Sequence, residues 1–285
     1  MSLGNPLKQV SVTGAAARLY WLRANIAWSL ALFARAPKSF VTPKWRAPLR
    51  LAAGTLAGVV IVAITMIALD APAVTAARQA PAWLIEFFHH ITGYGRSVWF
   101  LVPIALALTA IAGVASPSLP RMSRGVLAAL AVRLGFLLLA IGLPGLVWTV
   151  GKRLIGRARP FVEGGAGPFV YHPLGWSVEY ASLPSGHAVD AFAAAMAIGT
   201  LWPWTRPVMW TYAVLIAMSR VVLTAHFPSD VMLGAVAGAL GALVVRDWYA
   251  ARRLAFVIGA DGEVRPWPGP SFARIKRVAG QLIAP

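Results

Sequence analysis

Hydropathy along the chain comes in long blocks, with apolar runs divided by short polar junctions. Six runs stand out: Leu51–Leu69, Val98–Ala115, Val126–Val150, Ala188–Trp204, Val208–Ala225 and Val231–Val245. About 20 apolar helical residues cross the roughly 30 Å hydrocarbon core of a bilayer. The pattern therefore predicts an all-α fold, a polytopic membrane bundle of six transmembrane helices with both chain ends on one side. The fourth and sixth runs are the shortest, and Pro144 is expected to kink the third. Two further segments read as interfacial helices. Leu19–Ala34 is rich in Trp and Leu but is interrupted by Arg23 and closed by Arg35, which suits an amphipathic helix lying in the interface. The aromatic stretch Pro81–Ser97 suits a second one, at the opposite face. After Tyr249 the chain turns polar, and Asp261-Gly262 with Pro266, Pro268 and Pro270 predicts either a small hairpin or loose chain.

Composition supports the membrane reading. Of 285 residues, 59% are hydrophobic and only 12% charged, against about 45–50% and about 25% in a soluble domain. There are 26 Lys and Arg against 9 Asp and Glu, and no Cys. In a soluble protein this excess would suggest nucleic-acid binding. Here the cations sit between apolar runs, so they read as topology signals and as attraction to anionic membrane lipids, with no nucleic-acid partner. The absence of Cys removes disulfides and thiolate chemistry. Three parts are expected: a basic head over 1–50, a six-span domain over 51–245 and a basic tail over 246–285. The uninterrupted apolar runs begin about 50 residues in, so no cleaved secretory leader is expected.

Nineteen of the 26 Lys and Arg fall on the side of the two termini, which should be cytoplasmic. The minority on the other side is concentrated between Lys152 and Arg159, against the topology trend, and calls for another cause. That cause is found in three segments on the same membrane face: Lys152 to Arg159-Pro160, then Pro184-Ser185-Gly186-His187, then Ser219-Arg220 followed by His226 and Asp230. Their chemistry fits a phosphate. Lys152, Arg159 and Arg220 supply cationic donors. Ser185 and Gly186 open a helix whose free N–H groups and dipole favour an anion. His187 and His226 flank that anion as nucleophile and general-acid candidates. Asp230 can reach back one turn to orient His226.

These segments resemble the signature of the type 2 phosphatidic acid phosphatase (PAP2) family of integral membrane lipid phosphatases: Lys-x6-Arg-Pro, Pro-Ser-Gly-His and Ser-Arg-x5-His-x3-Asp. All defining positions match, in order, and the resemblance covers about residues 50–245. It implies metal-free phosphate ester or diphosphate hydrolysis, with no cofactor, through a phosphohistidine. His226 would attack phosphorus, Asp230 would hold its other ring nitrogen and His187 would protonate the leaving oxygen. Lys152, Arg159, Ser185, Gly186 and Arg220 would bind the phosphoryl oxygens. The substrate would be a lipid phosphate at the outer leaflet: undecaprenyl diphosphate, phosphatidylglycerol phosphate, phosphatidic acid or a lipid A phosphate. The setting would be a bacterial cytoplasmic (inner) membrane with the site facing the periplasm or exterior and both termini cytoplasmic.

Blander readings compete. The cations near Lys152 could snorkel to headgroups, and His226 with Asp230 could be a structural pair; three motifs in order argue against both. His89 and His90, adjacent on one helix, read as interfacial, and His172, near Glu163 and Glu179, as a surface or gate residue. Asp190, one turn after His187, could tune it or pair with a cation. The same site could serve a lipid-to-lipid phosphotransferase. A transporter with a cationic vestibule would need polar residues through the spans, and those are sparse. A metal hydrolase on His187, His226 and Asp230 would lose activity in excess chelator.

Overall fold

The computed structural model describes residues 15–38 and 41–283; Lys8 of the basic head lies outside them. Every expected span has a helix. They are α2 (Pro48–Ala68), α5 (Val98–Val114), α6 (Arg121–Ile155), α7 (Gly186–Leu201), α8 (Arg206–Val222) and α9 (Pro228–Ala251). The expected interfacial segments are also helical, as α1 (Ala15–Phe33) and α4 (Ala82–Thr92), and a short α3 (Asp70–Ala77) follows α2. Among the described residues, four helical stretches are long and apolar enough to cross a membrane: 48–68, 82–114, 121–155 and 228–251. The count of six thus does not follow from helix length alone, because α7 has 16 residues and α8 has 17. Helix α6 runs unbroken through Pro144. Gly241 of α9 makes room for that ring, since a Cβ there would stand 2.5 Å from Pro144 Cγ.

Proline opens two of the long helices, Pro48 in α2 and Pro228 in α9, where its missing N–H costs nothing. Helix α9 is also capped: Asp230 Oδ2 accepts the Phe227 N–H at 2.9 Å. Helix α7 is built for close approach. Ala188, Ala191, Ala193, Ala194, Ala195 and Ala197 are all fully buried, and small residues let helix backbones come together. Gly234 and Gly238 of α9 face it. A Cβ at Gly238 would stand 2.2 Å from the Val189 carbonyl oxygen, and one at Gly234 would stand 2.7 Å from that of Ser185. By contrast α2 carries Leu56, Ile64 and Ile67 exposed, as a lipid-facing helix does.

The chain divides into two compact units. The smaller takes described residues 15–36, 105–131 and 269–283. In it Asn25 Nδ2 donates to the carbonyls of Ala112 and Ala115, two of the acceptors a helix leaves free at its C-terminus. A final helix, α10 (Phe272–Ile283), packs Ile275, Val278 and Leu282 on Val126 and Leu127. The larger unit holds the rest, including α7, α8 and α9. Its tail forms the hairpin alternative: β1 (Phe256–Ile258) pairs antiparallel with β2 (Val264–Pro266), and Gly262 takes a φ of 74° in the turn, a conformation glycine adopts freely.

Substituting Gly238→Ala should push α7 from α9 and lower the thermal stability of the detergent-purified protein by about 1–3 kcal/mol. Unchanged melting would show that this glycine does not set the helix separation.

Candidate active site

Within the larger unit, the start of α7, the start of α9, the loop after α8 and the chain leaving α6 converge. The Ser185 N–H donates to the Asp230 carbonyl at 3.0 Å, binding the two helix starts together. Lys152, in the last turn of α6, brings its Nζ to 3.8 Å from where a Gly186 Cβ would stand, over the first residue of α7. Arg159, Arg220, His187 and His226 all lie within electrostatic reach of one another. The structure thus gathers every residue singled out for phosphate chemistry.

Three atoms of this cluster are buried without a hydrogen bond. Arg159 Nε, Arg220 Nε and Ser185 Oγ have no hydrogen-bond partner among the described residues. Buried polar atoms are nearly always satisfied, and three unbonded ones around one helix N-terminus would suit an anion. Ser185 in particular makes no cap hydrogen bond with its side chain.

His226 sits in the loop between α8 and α9, 3% exposed. Its Nδ1 lies 2.9 Å from the Ser182 carbonyl and 3.7 Å from Asp230 Oδ2. A carbonyl only accepts, so Nδ1 carries the proton and the lone pair resides on Nε2. Asp230 therefore faces the ring as expected, but the direct hydrogen bond is to Ser182. The two are linked, since Ser182 Oγ donates to Asp230 Oδ2 at 2.5 Å. Burial pulls the His226 pKa below the usual histidine value, while Asp230 opposes the drop.

Behind Asp230 lies a group the motifs did not assign. Arg157 is fully buried. Its Nη1 donates to Asp230 Oδ1 at 2.5 Å and to Ser229 Oγ at 2.8 Å, its Nη2 to Asp70 Oδ2 at 2.7 Å and its Nε to the Pro168 carbonyl at 2.9 Å. The guanidinium also lies over the Phe227 ring, 4.5 Å from its centroid. Burial alone would lower the Arg157 pKa, but the charges of Asp230 and Asp70 outweigh it and hold it above the ordinary value. Asp70 further accepts from the Ser229 N–H and hydroxyl. Thr92 and Gly95 are two more unforeseen neighbours. Thr92 Oγ1 is 2.6 Å from Arg220 Nη1, and Gly95 has no room for a Cβ between Ile216 and His187. Arg157 stood inside the Lys152–Arg159 cluster and could have been flagged there; Asp70, Thr92 and Gly95 had no local signal.

Other candidates stay outside the cluster. His89 and His90 are exposed on α4. His172 is exposed, stacked edge-on against Tyr180 and 3.5 Å from Glu163. Asp190 accepts the Ser97 N–H at 3.0 Å, at the start of α5, and its charge reaches Lys152.

The chain is 35% identical over 225 residues to the lipid A 1-phosphatase of Rhizobium etli, covering 78% of this chain and 93% of that protein. The PAP2 superfamily model matches residues 133–254. The chain belongs to the PAP2 superfamily. Another relative, the decaprenylphosphoryl-5-phosphoribose phosphatase of Mycobacterium tuberculosis, is 32% identical over 110 residues, 31% of this chain and 61% of that one. The crystal structure of Aquifex aeolicus LpxE aligns with a TM-score of 0.46 at 23% identity, over 63% of this chain and 95% of that one.

A histidine acting as a nucleophile must be neutral to attack. Because the His226 pKa lies below the ordinary 6.5, the neutral form persists as pH falls through that value. The acid limb of kcat/KM should therefore have its midpoint below pH 6.5. A midpoint clearly above it would rule out a buried neutral His226 as the titrating group.

Proposed function

We propose that this PAP2-type membrane phosphatase, whose relatives are named as phosphatases of lipid phosphates, removes a phosphate from a phosphorylated glycolipid of the lipid A type at the outer leaflet of a bacterial inner membrane. The observation that carries the phosphate assignment is the trio of buried atoms without a hydrogen bond, Arg159 Nε, Ser185 Oγ and Arg220 Nε, around the N-terminus of α7. The choice of lipid is supported by the Rhizobium etli lipid A 1-phosphatase, nearly all of which this chain covers.

In this reading Lys152, Arg159, Arg220, the Ser185 hydroxyl and the Gly186 N–H hold the phosphoryl oxygens and neutralise their charge, so no metal is needed. His226 Nε2 attacks phosphorus. An N–P bond forms as the P–O bond to the lipid breaks, and His187 gives a proton to the departing oxygen. Asp230, through the Ser182 hydroxyl and its own field, stabilises the imidazolium. Water then attacks the phosphohistidine, His187 takes its proton, and inorganic phosphate leaves.

Purified protein offered lipid A, undecaprenyl diphosphate, phosphatidylglycerol phosphate and phosphatidic acid should release phosphate fastest from lipid A, with no second lipid present and in excess chelator. Preference for another lipid overturns the substrate; release only when an acceptor lipid is added would favour phosphotransfer; loss in chelator would restore a metal.

Orientation is tested separately. The chain lacks Cys, so single cysteines report cleanly. Gly167→Cys, in the loop beside the site, should react with an impermeant thiol reagent in spheroplasts and Arg265→Cys, in the tail hairpin, should not. The reverse labelling would invert the topology.

A further inference from the structure

The ion cluster behind His226 has an unequal charge count. Asp70, Arg157 and Asp230 are each fully buried, and Arg157 bridges the two carboxylates. Two anions and one cation leave one net negative charge in a space closed to water. Isolated buried charge is costly, and a buried pair is tolerated only when well bonded. This cluster is well bonded, with Ser229, Ser182 and the Phe227 and Ser229 N–H groups filling the remaining sites.

We propose that Asp70 is a positioning residue of the phosphatase reaction: by balancing Arg157, it leaves the negative charge of Asp230 free to serve the imidazolium that develops at His226. Without Asp70, Arg157 and Asp230 would form a neutral pair, and Arg157 would draw on Asp230 as its one remaining carboxylate. Each Asp70 oxygen has a task in this arrangement. Oδ2 meets Arg157 Nη2 and the Ser229 hydroxyl, and Oδ1 meets the Ser229 N–H. Asp70 therefore also fixes Ser229, which accepts from the same Arg157 nitrogen that holds Asp230. The other charges facing His226 are Arg159 from the loop after α6 and Arg220 from α8, with His187 on α7. All of these are cationic or neutral, so Asp230 is the source of negative potential at the ring.

The proposal rests on the phosphohistidine reading of His226, and the test separates the two. Asp70→Asn keeps the shape and removes the charge. Purified in detergent, it should bind orthovanadate within about threefold of the parent protein, while kcat falls roughly 10–100-fold, the range seen when an outer partner of a metal-bound histidine is lost, with KM little changed. Rapid quench should show slower formation of the acid-labile phosphoryl label. The acid limb of the pH profile should move to lower pH, because a neutral Arg157–Asp230 pair favours the imidazolium less. If Asp70→Asn does not insert, Arg157→Lys takes its place. It keeps the net charge and loses the fork, so kcat should fall with the acid limb in place, and a displaced limb there would overturn the proposal. Unchanged label formation in Asp70→Asn, or a loss that tracks vanadate affinity, would overturn it too. A parent protein that forms no acid-labile label would overturn the phosphohistidine reading itself.

Discussion

Asp230 must be an anion where no water reaches it. That requirement organises the site more than any other. One oxygen takes Arg157, the other takes Ser182 and the Phe227 N–H, and the main-chain carbonyl takes Ser185. Ser182 and Ser185 lead into α7, Phe227 caps α9 and Arg157 lies in the strap after α6, so satisfying this one residue brings those three segments together. A buried charge left short of a partner costs several kcal/mol. The same bonds that remove this cost also aim His226, since Ser182 serves both the carboxylate and the ring.

Close helix packing is the second condition. The site lies at helix ends, and helix ends meet only if the helix bodies approach. Buried alanines on α7 and the glycines of α9 allow the Ser185–Asp230 bond to form at 3.0 Å. The donors proposed to face phosphate then arrive as a group. Ser185 and Gly186 come from the helix start itself, Lys152 comes from the end of α6, and Arg220 is steadied by Thr92.

Much of this was legible in the sequence because the chemistry is carried by contiguous motifs. Lys152, Arg159, Ser185, Gly186, His187, Arg220, His226 and Asp230 announce themselves by residue type in an otherwise apolar chain. The helices were legible because long apolar runs have few alternatives in a membrane. What was not legible has two physical causes. Asp70, Thr92 and Gly95 act across more than 80 residues of chain, and nothing near them in sequence states their partners. The tail helix α10 was overlooked because its apolar stripe of Ile275, Val278 and Leu282 is short and diluted by Arg274, Lys276 and Arg277. The hydrogen bond from His226 to a main-chain carbonyl, with Asp230 one step removed, was invisible for another reason: sequence names side chains, and Ser182 contributes here through its backbone as well as its hydroxyl.

The reach of Arg157 to Asp70 sets a limit on modularity. The stretch that matches the PAP2 family, residues 133–254, holds all the motif residues and looks like a self-sufficient cassette. Asp70 lies well upstream of it, as do Thr92 and Gly95. A minimal fragment cut to the matched stretch would keep every diagnostic letter. It would also seal Arg157 in the interior with half its counter-charge and leave Arg220 without its hydroxyl support. The corner between α2 and α3 is in that sense part of the buried ion cluster, so a graft of this site onto another membrane scaffold would have to carry that corner with it.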